Sequence, residues 1–297
     1  MAPDVDGALH GTRDALGAAL LSSRNADGGW GYLAGKRSRV EPTSLALVAL
    51  AAGGERVDGG VLTRWERRAG LLIDPAATHA NIAFSGIAAL VAQYPPLGLN
   101  GGAGSLVSAL LDHQGATLPA STTIQQDNAL VGWPWLDGTF SWVEPTAWCL
   151  LALKRWSRTR PSLDRSVRID QGERLLRDRV CREGGWNYGN PQVLGKSLSA
   201  YAATSALGLL ALQNWRDDPV VRRSSTTLRA LCASEQSGFA LGLSVLAFRL
   251  LGEPAADVER ALAGLWQQSA FAGETVATAL ALYAVNGAED HYEAFRV

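Results

Sequence analysis

Asp27-Gly28-Gly29-Trp30-Gly31-Tyr32 and Glu183-Gly184-Gly185-Trp186-Asn187-Tyr188-Gly189 are two copies of one motif, and each leads into an apolar helical stretch. A weaker third copy stands at Gly138-Thr139-Phe140-Ser141-Trp142. The first copy runs on into Glu41-Pro42-Thr43 and SLALVALAA, the third into Glu144-Pro145-Thr146 and AWCLLALKR, and the second into Tyr201 and AATSALGLLALQ. A shared Val-Glu-Pro-Thr string in a chain of 297 residues marks an internal repeat.

Working outward, the runs Ala80–Gln93, Phe239–Leu251 and Glu274–Val285 complete a set of six stretches that are apolar nearly all round. Helices of that kind are buried. Amphipathic segments lie between them, at about Gly7–Ser22, Val61–Leu72, Leu106–Leu111, Ile169–Val180, Val220–Ala233 and Ala256–Gln268. Period-two alternation is scarce, so strands are not expected. Pro42 and Pro145 fall where a first helical turn tolerates proline. Gly53-Gly54, Gly70, Gly252 and Gly287 fall just past helix ends.

Six alternating pairs predict an all-α fold, an α/α toroid: a closed double ring of about six helical hairpins in one domain spanning residues 1–297. The buried helices form an inner barrel and the amphipathic ones an outer wall. The competing arrangement is an open solenoid, which needs a polar cap at its end. The last buried run is as apolar as those in the middle, which favours closure. Leu97–Asn128 is rich in Gly, Ser and Thr and reads as a long loop with a short helix, a length usually reserved for function or motion.

Composition narrows the function classes. A net charge of -1 with 19% charged residues leaves no basic footprint for nucleic acid. Hydrophobic residues make up 47% of the chain, enough for a large core. Cys149, Cys181 and Cys232 stand far apart with no Cys-x-x-Cys pair, which points to a reducing cytosol. No apolar leader and no run of about 18 apolar residues is found, so a soluble cytoplasmic protein is expected.

The strings Leu20–Gly31 and Leu175–Gly189, each ending on a Gly-Gly-Trp core, resemble the QW repeat of squalene and oxidosqualene cyclases, whose α/α toroid is shared with protein prenyltransferases. In that repeat a Gln precedes Gly-x-Trp; here Arg24 stands near its place, and the second copy also lacks it. The resemblance implies a hydrophobic, isoprenoid small molecule in a central cavity. It does not supply the acid, because the Asp-x-Asp-Asp motif of squalene–hopene cyclases is missing and Asp217-Asp218 is the only Asp pair. Nor does it supply a zinc site: no His stands at a ligand spacing from a Cys, and neither metal nor cofactor is expected.

Within that frame, Trp30, Trp133, Trp135, Trp142, Trp148 and Trp186, with Tyr188 and His79, are the candidate substrate wall. Aromatic faces suit polyisoprenes and stabilise carbocations by about 0.5–2 kcal/mol per ring. The competing role for Trp30 and Trp186 is that of a structural clamp between helices. Glu144 and Glu41 are the candidate catalytic acids, since a carboxyl in an apolar cavity holds its proton to higher pH. Their competing role is to face the positive end of a helix. Cys149 reads as core. Lys36-Arg37-Ser38-Arg39 reads as a solvated loop or, less readily, an anion site. Two function classes follow: a terpenoid cyclase/prenyltransferase-like enzyme, or a non-catalytic toroid that binds a hydrophobic ligand or protein partner. A zinc prenyltransferase-like subunit ranks third. Peripheral membrane contact is left open; nucleic acid is not a partner.

Overall fold

The computed structural model describes residues 5–75, 77–99, 102–119, 126–286 and 289–297. Six helices form the inner layer: α2 (Val40–Ala52), α3 (Ile82–Val91), α5 (Val143–Ser157), α7 (Ala202–Ala211), α9 (Gly238–Leu251) and α11 (Thr275–Val285). Five lie outside them: α1 (Val5–Ser22), α4 (Gly102–Asp112), α6 (Leu163–Asp178), α8 (Pro219–Cys232) and α10 (Ala256–Ser269). In the inner layer α2 packs on α3, α3 on α5, α5 on α7, α7 on α9 and α9 on α11, and α11 packs back on α2. The ring is closed, so the chain is an α/α toroid. Every residue of α2 is buried, as an inner helix covered on all sides requires.

One expected outer helix is absent. Val61–Leu72 forms a 3-10 turn, Gly59–Arg64, followed by a two-residue hairpin of β1 (Arg67–Arg68) and β2 (Leu71–Leu72). Gly70 at φ 80° makes its turn rather than ending a helix. A second hairpin, β3 (Gln192–Val193) with β4 (Lys196–Ser197), lies between α6 and α7. Gly252 ends α9 in the left-handed conformation as expected, and Gly287 lies outside the described residues.

Three tryptophans join outer to inner helices in the same way. The indole N–H of Trp30 donates to Leu20 C=O at 2.7 Å, that of Trp133 to Leu110 C=O at 2.8 Å, and that of Trp186 to Leu176 C=O at 2.7 Å. Each acceptor is two residues from the end of α1, α4 or α6, where carbonyls lack an intrahelical partner. The backbone of the same tryptophan binds a hydroxyl in the first turn of the next inner helix. Its N–H donates to Thr43 Oγ1 at 2.9 Å, Thr146 Oγ1 at 3.0 Å or Ser205 Oγ at 2.9 Å. The preceding glycine allows that approach: a Cβ at Gly132 would stand 2.4 Å from Thr146 Oγ1, and one at Gly185 would stand 2.6 Å from Ser205 Oγ.

This bonding corrects the register of the repeat. The third copy is Gly132-Trp133, not Ser141-Trp142. Trp30 and Trp133 both stand 13 residues before their hydroxyl partner, whereas Trp186 stands 19 before its own. The longer third spacing holds the β3–β4 hairpin.

A second set of bonds stitches each repeat to its neighbour. The N–H that opens an inner helix has no partner within it. Val40 N–H donates to Asp74 Oδ1 at 2.7 Å, Ile82 N–H to Trp135 C=O at 3.0 Å, and Val143 N–H to Tyr188 C=O at 3.1 Å. Thr275 N–H donates to Tyr32 C=O at 2.9 Å, which ties the last inner helix to the first repeat.

Trp133→Phe keeps most of the buried ring and deletes only the indole bond; it is expected to cost about 1–3 kcal/mol, since Leu110 C=O is left unsatisfied. Gly132→Ala is expected to cost about as much through overpacking. Urea unfolding of both variants measures this, and midpoints equal to that of the parent would remove the clamp as the joint of the fold.

Candidate functional site

The inner helices run parallel, so their N-terminal ends and the loops before them form one mouth of the barrel. Glu41 and Glu144 are the second residues of α2 and α5 and occupy equivalent repeat positions. Glu41 is buried and Glu144 half-buried, and the two carboxyls are close enough to interact. Tyr32 Oη donates to Glu41 Oε2 at 2.6 Å. Tyr32 stands two residues after the clamp tryptophan, so the bond that fixes Trp30 also positions this phenol.

Burial pushes Glu41 up from an ordinary 4.5 to about 7; Glu144, Asp74 and Glu274 push the same way, and the Tyr32 hydroxyl opposes them. Burial likewise pushes Glu144 up to about 7, opposed by the Trp148 indole one turn further along α5. Trp148 Nε1 is itself buried. Asp74 is raised by burial against the Val40 N–H bond, and Tyr32 is raised well beyond its usual range by burial and the adjacent Glu41. Glu274 sits two positions earlier in its helix than the other two: it is the exposed N-cap residue of α11.

Seven of the eight candidate wall residues fall into two groups. Trp30, Trp133 and Trp186 are fully buried between the layers as clamps, with Arg168 stacked 4.1 Å from the Trp133 ring. Trp135, Trp142, Trp148 and Tyr188 belong to the mouth or the barrel beneath it. Trp135 meets Phe84 edge to face at 6.2 Å between ring centroids. Tyr188 and Tyr201, both half-exposed, lie 5.3 Å apart. Trp142 is the N-cap residue of α5 and lines a groove of about 230 Å³ with Phe140, Leu118 and Leu130. His79 does not join them: it is exposed, precedes the Asn81 cap of α3, and bonds its neighbour Thr78 through Nδ1 at 2.8 Å. Lys36 and Arg37 are solvated, and Cys149 is fully buried core.

Sequence reasoning missed Tyr32, Asp74 and Phe295. Tyr32 was legible as the aromatic that follows each Gly-Trp by two, alongside Trp135 and Tyr188. Asp74 and Phe295 carried no repeat signal. Among the described residues, no group of three or more His, Cys, Asp or Glu is placed to hold a metal ion.

Three solved structures of the type II terpene cyclase MstE from Scytonema are similar to this chain in fold. An alanine variant bound to merosterolic acid A, its product, matches with TM-score 0.59 at 15% identity over 98% of this chain and 100% of that one. A second variant, bound to the substrate geranylgeranyl dihydroxybenzoate, matches with TM-score 0.59 at 14% identity over 99% of each chain. The apo enzyme matches with TM-score 0.55 at 18% identity over 90% of this chain and 78% of that one. The fold is terpenoid-cyclase-like. No protein-family model matches the sequence, and no curated protein matches it. Nor is any helix among the described residues long and apolar enough to cross a membrane.

The raised carboxyls give the toroid a signed pH dependence. A folded value above the unfolded one means that the folded state binds the proton more tightly, so stability falls as pH rises from about 4.5 to about 7. Glu41→Gln is expected to flatten that fall and to stabilise the protein by about 2 kcal/mol at pH 8. Thermal unfolding from pH 4 to pH 8 measures it; a parent whose stability rises across that window would contradict the burial assigned to the pair.

Proposed function

We propose that the protein is terpenoid cyclase-like and takes an isoprenoid at the mouth of its inner barrel, with Glu144 as the acid and Glu41 as its partner. The feature that supports this reading is a pair of repeat-equivalent carboxyls at the mouth of the barrel, on α2 and α5 with α3 between them, both pushed up to about 7 by burial. Glu144 is the better donor of the two because it is half-exposed, whereas Glu41 is buried and engaged by Tyr32. In such a reaction the Glu144 proton goes to the ligand, the positive charge passes to a carbon facing the rings, and loss of another proton restores the acid. The product has the mass of the substrate. The bound substrate and product of MstE support the ligand class. The exposed apolar side chains of the rim, Leu33, Leu136, Phe140, Val193 and Leu194, suit uptake from a lipid surface.

A second reading is a non-catalytic toroid that binds the same class of ligand. It is favoured by the acid strength: a carboxyl near 7 is a weak acid for an unactivated alkene, and the Asp-x-Asp-Asp motif is absent. Mass spectrometry of lipids that co-purify, followed by incubation with geranylgeranyl dihydroxybenzoate, separates the two. Conversion to an isomer of equal mass, reduced at least about 100-fold in Glu144→Gln, is expected for the enzyme. Isoprenoid bound but never converted would retire the cyclase reading, and no isoprenoid bound at all would retire both.

A further inference from the structure

The opposite end of the barrel, where the inner helices finish, is covered by the chain itself. The 3-10 segment Glu289–Phe295 follows α11 and is fastened to three inner helices or their ends. Gln213, just past α7, donates from Nε2 to Phe295 C=O at 2.9 Å and accepts from Val297 N–H at 3.3 Å. On α11, Tyr283 Oη accepts from Ala294 N–H at 3.1 Å, and Ala284 C=O accepts from Tyr292 Oη at 2.9 Å. On α5, Arg155 pairs with the Glu293 carboxylate at 3.3 Å and donates to Arg296 C=O at 3.3 Å.

Beside these polar bonds, one side chain of the segment packs between α5 and α11, which stand opposite each other in the ring. Phe295 is fully buried, 5.0 Å from the Tyr283 ring and 6.1 Å from the Trp148 ring. Trp148 stands four residues after Glu144 and so shares its face of α5. From mouth to floor the axis therefore reads Glu144, Trp148, Phe295. Trp148 separates the acid from the plug and is held in place by it from below.

We propose that Phe295, through Trp148, sets the depth of the ligand site and hence the length of isoprenoid that the barrel accepts. The inference rests on the isoprenoid reading above for its ligand class, but not for the existence of the floor. Removing the Phe295 ring leaves an apolar void beneath Trp148, and such voids stay dry and take up xenon. A longer ligand can then press Trp148 down into that void, which deepens the site beneath the carboxyls, whereas in the ligand-free variant the void stays open. Phe295 is a positioning residue in this scheme, since it touches Trp148 and not the acid.

The test uses the full chain, Phe295→Ala and the milder Phe295→Leu, each checked for folding by circular dichroism. Calorimetry with farnesol and geranylgeraniol gives the ratio of their dissociation constants, and xenon NMR reports the void. Geranylgeraniol is expected to gain about tenfold over farnesol in Phe295→Ala, about 1.4 kcal/mol, with Phe295→Leu between variant and parent. Xenon is expected to bind Phe295→Ala but not the parent. A folded variant with the parent's ratio, or without bound xenon, overturns the proposal. If neither prenol binds the parent, the length-setting role falls with the isoprenoid reading, and the xenon result alone decides whether Phe295 is a floor. If Phe295→Ala fails to fold, a parental ratio in Phe295→Leu counts against the proposal in the same way.

Discussion

An indole N–H donated into the last turn of an outer helix is the bond on which the ring's geometry depends. The acceptor sits at the same distance from the helix end in three repeats, so each of those turns from outer to inner layer at the same place. The tryptophan backbone then meets the first-turn hydroxyl of the inner helix, so one residue fixes both partners. The stitching bonds add the step from one repeat to the next, and the Tyr32–Thr275 bond completes the circle. Each of these bonds satisfies a group that a helix end leaves open, and this is why loops with little regular structure hold a ring together.

At the mouth, two opposing effects act on Glu41 and Glu144. Helix N-termini favour a carboxylate, typically by about 0.3–1 kcal/mol. Desolvation favours the neutral acid, and a rise from 4.5 to about 7 is several times larger in energy, so burial prevails. The helix-capping role considered from sequence is therefore the smaller of the two effects. The repeat that makes the ring regular also brings two carboxyls to one end of the barrel, where the Glu144 charge adds to the cost of ionising Glu41.

The toroid is also polarised along its axis. One end carries acids, phenols and an apolar rim; the other is sealed by aromatic rings and a frame of hydrogen bonds between side chains and backbone. Trp148 is the boundary between them, with its buried indole N–H turned toward Glu144 and its ring against Phe295 on the other side.

The sequence by itself determined the helix count of the inner layer, most of the alternation of buried and amphipathic segments, and the equivalent repeat positions of Glu41 and Glu144. Those features rest on local periodicity and on a repeated string, which a linear chain displays openly. The clamp register was also present, in the equal spacing of Gly-Trp before the two Val-Glu-Pro-Thr strings, but Ser141-Trp142 lay nearer to the helix and concealed it. Only the tertiary structure decided that Trp30, Trp133 and Trp186 face between layers while Trp135 and Tyr188 face the mouth. It also replaced the helix expected at Val61–Leu72 with a hairpin, because Gly70 at a positive φ turns the chain back on itself. The placement of Asp74 against Val40 and of Phe295 against Trp148 joins residues far apart in the chain that belong to no repeat. Such contacts follow from closure of the ring, and closure is a property of the summed curvature of all the hairpins rather than of any one segment.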